Sequence, residues 1–160
     1  MQIDIVAVGR LKAGPEQELY GRFAERFAKA GRGLHLRGPE LIEISESRAR
    51  DVTERKREEA EAILARLAQG TRIVALDENG RDYDSKSFSA LIVKEQEAGT
   101  SNLAFAIGGP DGHGEALLQA ASLKLRFGSW TWPHQIARVM LAEQLYRATT
   151  ILSGHPYHRA

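Results

Sequence analysis

The chain has 160 residues, 42% of them hydrophobic and 27% charged, with a formal net charge of +1. That length suits one domain with a proper core, and the composition is that of a soluble globular protein. The absence of cysteine removes disulfides and thiolate chemistry. No apolar run approaches the roughly 20 residues of a membrane span, and so small a net charge argues against coating nucleic acid through bulk charge.

The lack of cysteine fits a bacterial-type cytoplasm, and the opening "MQIDIVAVGR" lacks the basic start and long apolar stretch of a secretion signal. "IDIVAVG" (3–9) is instead a short apolar run closed by glycine, the mark of a buried strand. Gly14 and Pro15 punctuate, and from Glu16 to Ala30 the residues Leu19, Phe23 and Phe27 recur every four, which predicts a helix. "ELIEIS" (40–45) alternates as a strand does. A charged helix is predicted over 47–69, with Val52, Ala60, Ile63, Leu64 and Leu67 on its apolar side, and "ERKREEAE" within it reads as a solvated face. "RIVALDENG" (72–80) predicts a strand ending in an aspartate and a turn. "DSKSFSALIVKEQEAG" (84–99) predicts a capped helix with a glycine stop.

"LAFAIGGPDG" (103–112) reads as a strand running into a Gly/Pro loop, and "EALLQAA" as a short helix. "SLKLRFG" (122–128) alternates Leu123, Leu125 and Phe127 against Lys124 and Arg126, so it is a strand. Pro133, after "SWTW", suits the first turn of a last helix that ends near Leu152. Ile136, Val139, Met140, Leu141, Leu145, Ala148 and Leu152 give that helix an apolar arc wide enough for the core and a partner subunit. Arg138 and Arg147 on it read as salt-bridged surface residues. Strands alternate with helices, and most of the strands are nearly all apolar. This predicts a single α/β domain over residues 1–160, with a mostly parallel sheet flanked by helices.

In open α/β sheets ligands bind beyond the carboxyl ends of the strands. Three such ends are unusual here: "ALDENG", "IGGPDGHG" and "FGSWTWPH". The middle one is neither a GxxxxGK[ST] loop nor a GxGxxG turn after the first strand, so it is either a tight turn or a binding loop. The two tryptophans either plug the core or flank a ligand. Together, at neighbouring strand ends, they predict one shared pocket in which glycine lets backbone approach a ligand closely. His113, His134, His155 and His158 show no compact ligand spacing, so no metal is expected.

"IGGPDG", "WTWPH", "AEQLYRA" and the terminal "HPYHR", in that order, closely resemble the ribosomal RNA large subunit methyltransferase H family, a minimal member of the SPOUT class. The resemblance covers the full length, and Gln135 departs from the proline that family members often carry. It implies a fold with a C-terminal trefoil knot and a homodimer with active sites at the subunit interface. It implies a cytoplasmic enzyme that methylates N3 of a pseudouridine in large-subunit rRNA from S-adenosylmethionine, on assembled ribosomes, with no DNA, membrane or metal partner. Leu76, Gly108, Gly109, Gly128, Ser129, Trp130, Thr131, Trp132 and Pro133 are the implied cofactor residues. His158, Tyr157 and Arg147 are the implied catalytic set, and His155, Arg159 and Arg147 the implied rRNA contacts, facing the cofactor of the partner subunit. A ribosome-binding module of the same class without catalysis, or a methyltransferase for another RNA, are the competing readings.

Overall fold

A computed structural model describes residues 1–158. Its centre is a sheet of five parallel strands in the order β2-β1-β4-β3-β5. These are β1 (Gln2–Val8), β2 (Arg37–Ile44), β3 (Arg72–Asp82), β4 (Asn102–Ile107) and β5 (Leu123–Arg126). The helices are α1 (Pro15–Gly31), α2 (Val52–Arg66), α3 (Ser85–Glu97), α4 (Glu115–Ala120) and α5 (His134–Leu152), with a 3-10 turn at Arg32–Leu34.

Strand periodicity decides the layering. Ile3, Ile5 and Ala7 of β1, with Leu103, Phe105 and Ile107 of β4, face the core shared with α1, α3 and α5. Val6, Val8 and Ala106 face the smaller core under α2 and α4. Both central strands are therefore covered on both sides, which is why they carry almost no polar residue. The chain between β5 and α5 lies at the carboxyl ends of the strands, with Phe127 and Trp132 packed against the larger core.

Three elements differ from the sequence expectation. α2 starts at Val52 because Asp51 caps it, accepting from the Glu54 amide at 3.0 Å. The preceding residues form an irregular arm tied to α2 from outside, with the Ser47 amide donating to Glu59 Oε1 at 2.9 Å and the Ser47 hydroxyl to Glu58. Val52 thereby falls in the first turn and is exposed rather than on the apolar side. β3 does not stop at its aspartate. Both Leu76 and Arg81 pair with Leu125, so residues 77–80 bulge out and the strand resumes. Asp77 accepts from the Asn79 amide inside the bulge. A side chain at Gly80 would come within 2.6 Å of the Leu125 backbone. In α1, Tyr20 and Phe27 carry the burial, Phe23 is half-buried and Leu19 is exposed.

Arg138 is a further correction. It is 1% exposed. Its Nη2 donates to the carbonyls of Val8 (2.8 Å) and Gly9 (2.9 Å), and its Nη1 to Glu43 Oε2 (3.2 Å). It ties α5 to the carboxyl ends of β1 and β2 and is no surface residue. Pro133 caps α5 with an extended ψ of 141° instead of entering its first turn.

Candidate active site

Three loops meet at the carboxyl ends of β3, β4 and β5 and enclose a cavity of about 670 Å³. They are the β3 bulge, the 108–113 loop and the 127–132 segment, with Lys56, Leu118, His134 and Ala137 completing the wall. Leu76, Gly108, Gly109, Gly128, Ser129, Trp130, Thr131 and Trp132 all line it, whereas Pro133 does not. The volume lies in the usual range for a small-molecule site.

The two adjacent glycines also answer to close packing within the protein. A Cβ on Gly109 would lie 2.8 Å from Glu59 Oε2 and 3.2 Å from Val8, and one on Gly108 would lie 3.0 Å from the Gly112 backbone. The loop folds tightly on itself and on α2, and protein atoms occupy the space a side chain would need. Gly114 closes the same loop, where a Cβ would meet the Lys56 carbonyl at 2.3 Å. The Gly112 amide returns to the Gly109 carbonyl (2.9 Å), completing a compact ring of main chain.

His113, considered from sequence only as a metal ligand, lines the cavity and locks this loop. It is buried, and its Nε2 donates to the Ala106 carbonyl at 3.1 Å. Burial holds its pKa below the ordinary 6.5, with the nearby Asp77 charge opposing and the Lys56 charge assisting. Below pH 6.5 the unfolded ring takes up a proton that the folded ring refuses. The stabilisation from neutral His113 is therefore complete above that value and is lost as pH falls towards the lowered folded pKa. Urea unfolding between pH 5 and 8 is expected to show this decline, and His113→Gln to flatten it.

The tryptophans divide their work. Trp132 Nε1 donates to the Phe127 carbonyl (2.8 Å), fastening the segment to itself. Trp130 is 76% exposed with its ring centroid 6.0 Å from that of Trp132, so it is no core plug. It stands as an open flank of the cavity.

The C-terminal groups form a second cluster. α5 ends in a Schellman turn, with the Gly154 amide bonded to Ile151 O, the His155 amide to Thr150 O, and Gly154 at φ 68°. The reversal lays Tyr157 back on the helix. Its hydroxyl donates to Glu143 Oε1 (3.0 Å), its ring centroid is 4.7 Å from that of Tyr146, and the Arg147 guanidinium lies 5.0 Å from its centre. Arg147 donates through Nε and Nη2 to the same Glu143 oxygen. Burial and the Glu143 charge raise the Tyr157 pKa, so the phenol stays protonated. His155 Nδ1 accepts from the Tyr157 amide (3.1 Å). Both ring nitrogens of His158 are shielded from solvent and without a partner among the described residues. Arg159 lies outside the described residues.

The two clusters are spaced along α5, and Glu143, which holds Tyr157 and Arg147, lines a second cavity that shares Arg126, Phe127 and Gly128 with the first. His134 lines the cavity at one end of α5 and Arg147 lies 13 residues further along, a rise of about 20 Å. Among the described residues no group of three or more His, Cys, Asp or Glu is placed to hold a metal, and no helix is long and apolar enough to cross a membrane.

Residues 1–158 match the family described as "Predicted SPOUT methyltransferase". The chain belongs to the SPOUT methyltransferase family. This SPOUT methyltransferase chain is 52% identical over 160 residues to the "Ribosomal RNA large subunit methyltransferase H" of Rhodopseudomonas palustris (strain BisB18), covering 100% of both. It is 51% identical to the proteins of the same name from Rhizobium meliloti (strain 1021), over 100% of both chains, and Nitrobacter hamburgensis, over 99% of both.

Proposed function

We propose that the protein is an S-adenosylmethionine-dependent methyltransferase of large-subunit rRNA, acting on N3 of a pseudouridine in assembled ribosomes. The observation that carries this reading is the full-length match to relatives of that name, coupled to a small-molecule cavity built by the very loops that the family resemblance singles out. The cavity fits the donor. Its compact main-chain ring can present amide and carbonyl groups to an adenine edge, and Leu76, Trp130 and Trp132 offer apolar surface for the ring. S-adenosylmethionine, when bound, supplies a methyl group on a sulfonium, ready for in-line displacement.

What remains for the protein is positioning and proton removal. N3 of pseudouridine is a poor nucleophile while protonated. In this reading His158 accepts that proton, Tyr157 orients or stacks on the base, and Arg147, His155 and Arg159 hold carbonyl or phosphate oxygens. Arg147 is suited to such a contact because its Nε and Nη2 are fixed on Glu143, while Nη1 has no acceptor among the described residues.

The active enzyme is a homodimer in this reading. The rise of roughly 20 Å between His134 at the cavity and Arg147, along a helix without internal proline, supports it, because a second copy can bring its own Arg147 and tail to the first cavity. Exposed Leu19 and half-buried Phe23, Tyr146 and Met140 on α1 and α5 supply apolar surface for the contact. The family's trefoil knot belongs to the same reading. The site of action is the cytoplasm, with the ribosomes.

Mass-spectrometric mapping of large-subunit rRNA from cells with and without the gene tests the reading, which fails if no N3-methylated pseudouridine disappears with the gene. Methyl incorporation into free rRNA, large subunits and whole ribosomes identifies the substrate particle. His158→Ala is expected to slow single-turnover methylation by about 10²-fold or more and to remove the acidic limb of its pH profile. Undiminished turnover with an unchanged profile excludes His158 as the base.

A further inference from the structure

We propose that the arm between β2 and α2, through Arg48 and Arg50, is a phosphate-binding ledge that docks the rRNA strand beside the methyl-transfer cavity. The inference rests on the rRNA reading above and adds the surface that receives the nucleic acid.

The arm is irregular but well anchored. Beyond the two Ser47 contacts, Arg55 of α2 acts as a staple with both ends occupied. Its Nη1 donates to the carbonyls of Ala49 (3.1 Å) and Arg50 (2.9 Å). Its Nε and Nη2 donate to Asp111 at 2.7 and 3.3 Å. Asp111 lines the cavity, in the loop that carries Gly108 and Gly109. A single guanidinium thus fixes the main chain of the arm to the rim of the pocket, and the side chains of Arg48 and Arg50 are both exposed.

Their guanidinium groups are unpaired: among the described residues, neither Arg48 nor Arg50 makes an ion pair or a side-chain hydrogen bond, and the acids nearby are committed elsewhere. Asp51 caps α2, Glu54 pairs with Arg57, Glu58 and Glu59 hold Ser47, and Asp111 holds Arg55. Glu46 turns towards Gly9 and Arg138. Arg10 extends the patch: the Gly9 amide bonds to Ile44 O (2.7 Å), which sets exposed Arg10 beside the start of the arm.

Rigid backbone bearing free arginines at the mouth of a reaction cavity suits a polyanion. The planar guanidinium fork matches phosphate oxygens, and a nucleotide inserted in the cavity must have neighbours passing over its rim. A chain with a net charge of +1 has little long-range pull on RNA, so its grip must come from a few placed contacts.

The test is the double variant Arg48→Ser/Arg50→Ser, assayed for binding to ribosomal particles over a salt series. Its Kd is expected to rise about tenfold, and the slope of log K against log salt to flatten by about 1 to 2, while calorimetric affinity for S-adenosylmethionine stays at the wild-type value. Arg48→Lys/Arg50→Lys, which keeps the charge, is expected to retain most of the affinity. Wild-type affinity and salt slope in the serine variant overturn the ledge, as does a loss of affinity that does not depend on salt. If the wild type methylates its particles and the serine variant binds them equally well, only the ledge falls. If the wild type neither binds nor methylates any rRNA particle, the functional reading falls with it.

Discussion

Deleting Tyr157–Ala160 is expected to lower methyl transfer by about 10³-fold or more while leaving donor binding intact. Two structural facts make the effects separable. None of the described tail residues lines the cavity of its own chain, so its loss leaves the loops around Leu76, Gly109 and Trp132 untouched. The tail also adds little to the core. Tyr157 is half-buried, and the truncation removes its hydrogen bond to Glu143, its tilted ring contact with Tyr146, the Arg147 guanidinium contact on its ring and the hydrogen bond from its amide to His155 Nδ1. That amounts to about 1–2 kcal/mol and a fall of about 3–6 °C in Tm. The Schellman turn survives, since Gly154 and His155 remain. Calorimetry with S-adenosylmethionine, thermal melting and single-turnover methylation of ribosomes together check the prediction. A truncated protein that methylates at the wild-type rate shows the tail to be dispensable.

The second large effect is on stability. Arg138→Met is expected to cost about 3 kcal/mol. The guanidinium satisfies the carbonyls of Val8 and Gly9 and offsets Glu43, all at the junction of β1, β2 and α5. Methionine fills most of the volume, so the loss is mainly that of leaving buried acceptors without donors. Glu43 is part-exposed and regains water, which keeps the cost at the lower end of the range for broken buried pairs. Urea unfolding measures it as a lower midpoint with an unchanged slope. The double variant Arg138→Met/Glu43→Gln is expected to recover part of the loss, because the stranded charge is removed with its partner.

The centre of the sheet was readable in the sequence because its central strands are covered on both faces and so are spelled as runs such as "IDIVAV" and "LAFAI". Boundaries set by a single capping side chain were not. Asp51 ends the arm and starts α2, yet the charged residues before it have helical spacing all the same. The bulge in β3 depends on Leu125 pairing twice, a tertiary fact with no local signature beyond Gly80. The cavity residues announced themselves through glycine and tryptophan at neighbouring strand ends. The reason for the glycines did not, because it is the proximity of Glu59 and Val8 from distant parts of the chain. Arg138 resembled any helix-surface arginine, since its partners lie about 130 and 95 residues away in sequence. His113 could have been noticed as a histidine inside a Gly/Pro loop that otherwise needs only small residues.

α5 joins these observations as a ruler. Its first turn borders the cavity and its last turn launches the tail, with no flexible joint between them. Adding or removing one residue would shift the tail by about 1.5 Å and swing it by about 100° around the axis. The length of this helix is therefore as much a functional parameter as the identity of any side chain on it. Insertions that a surface loop would tolerate become, here, changes in where the tail stands relative to the cavity.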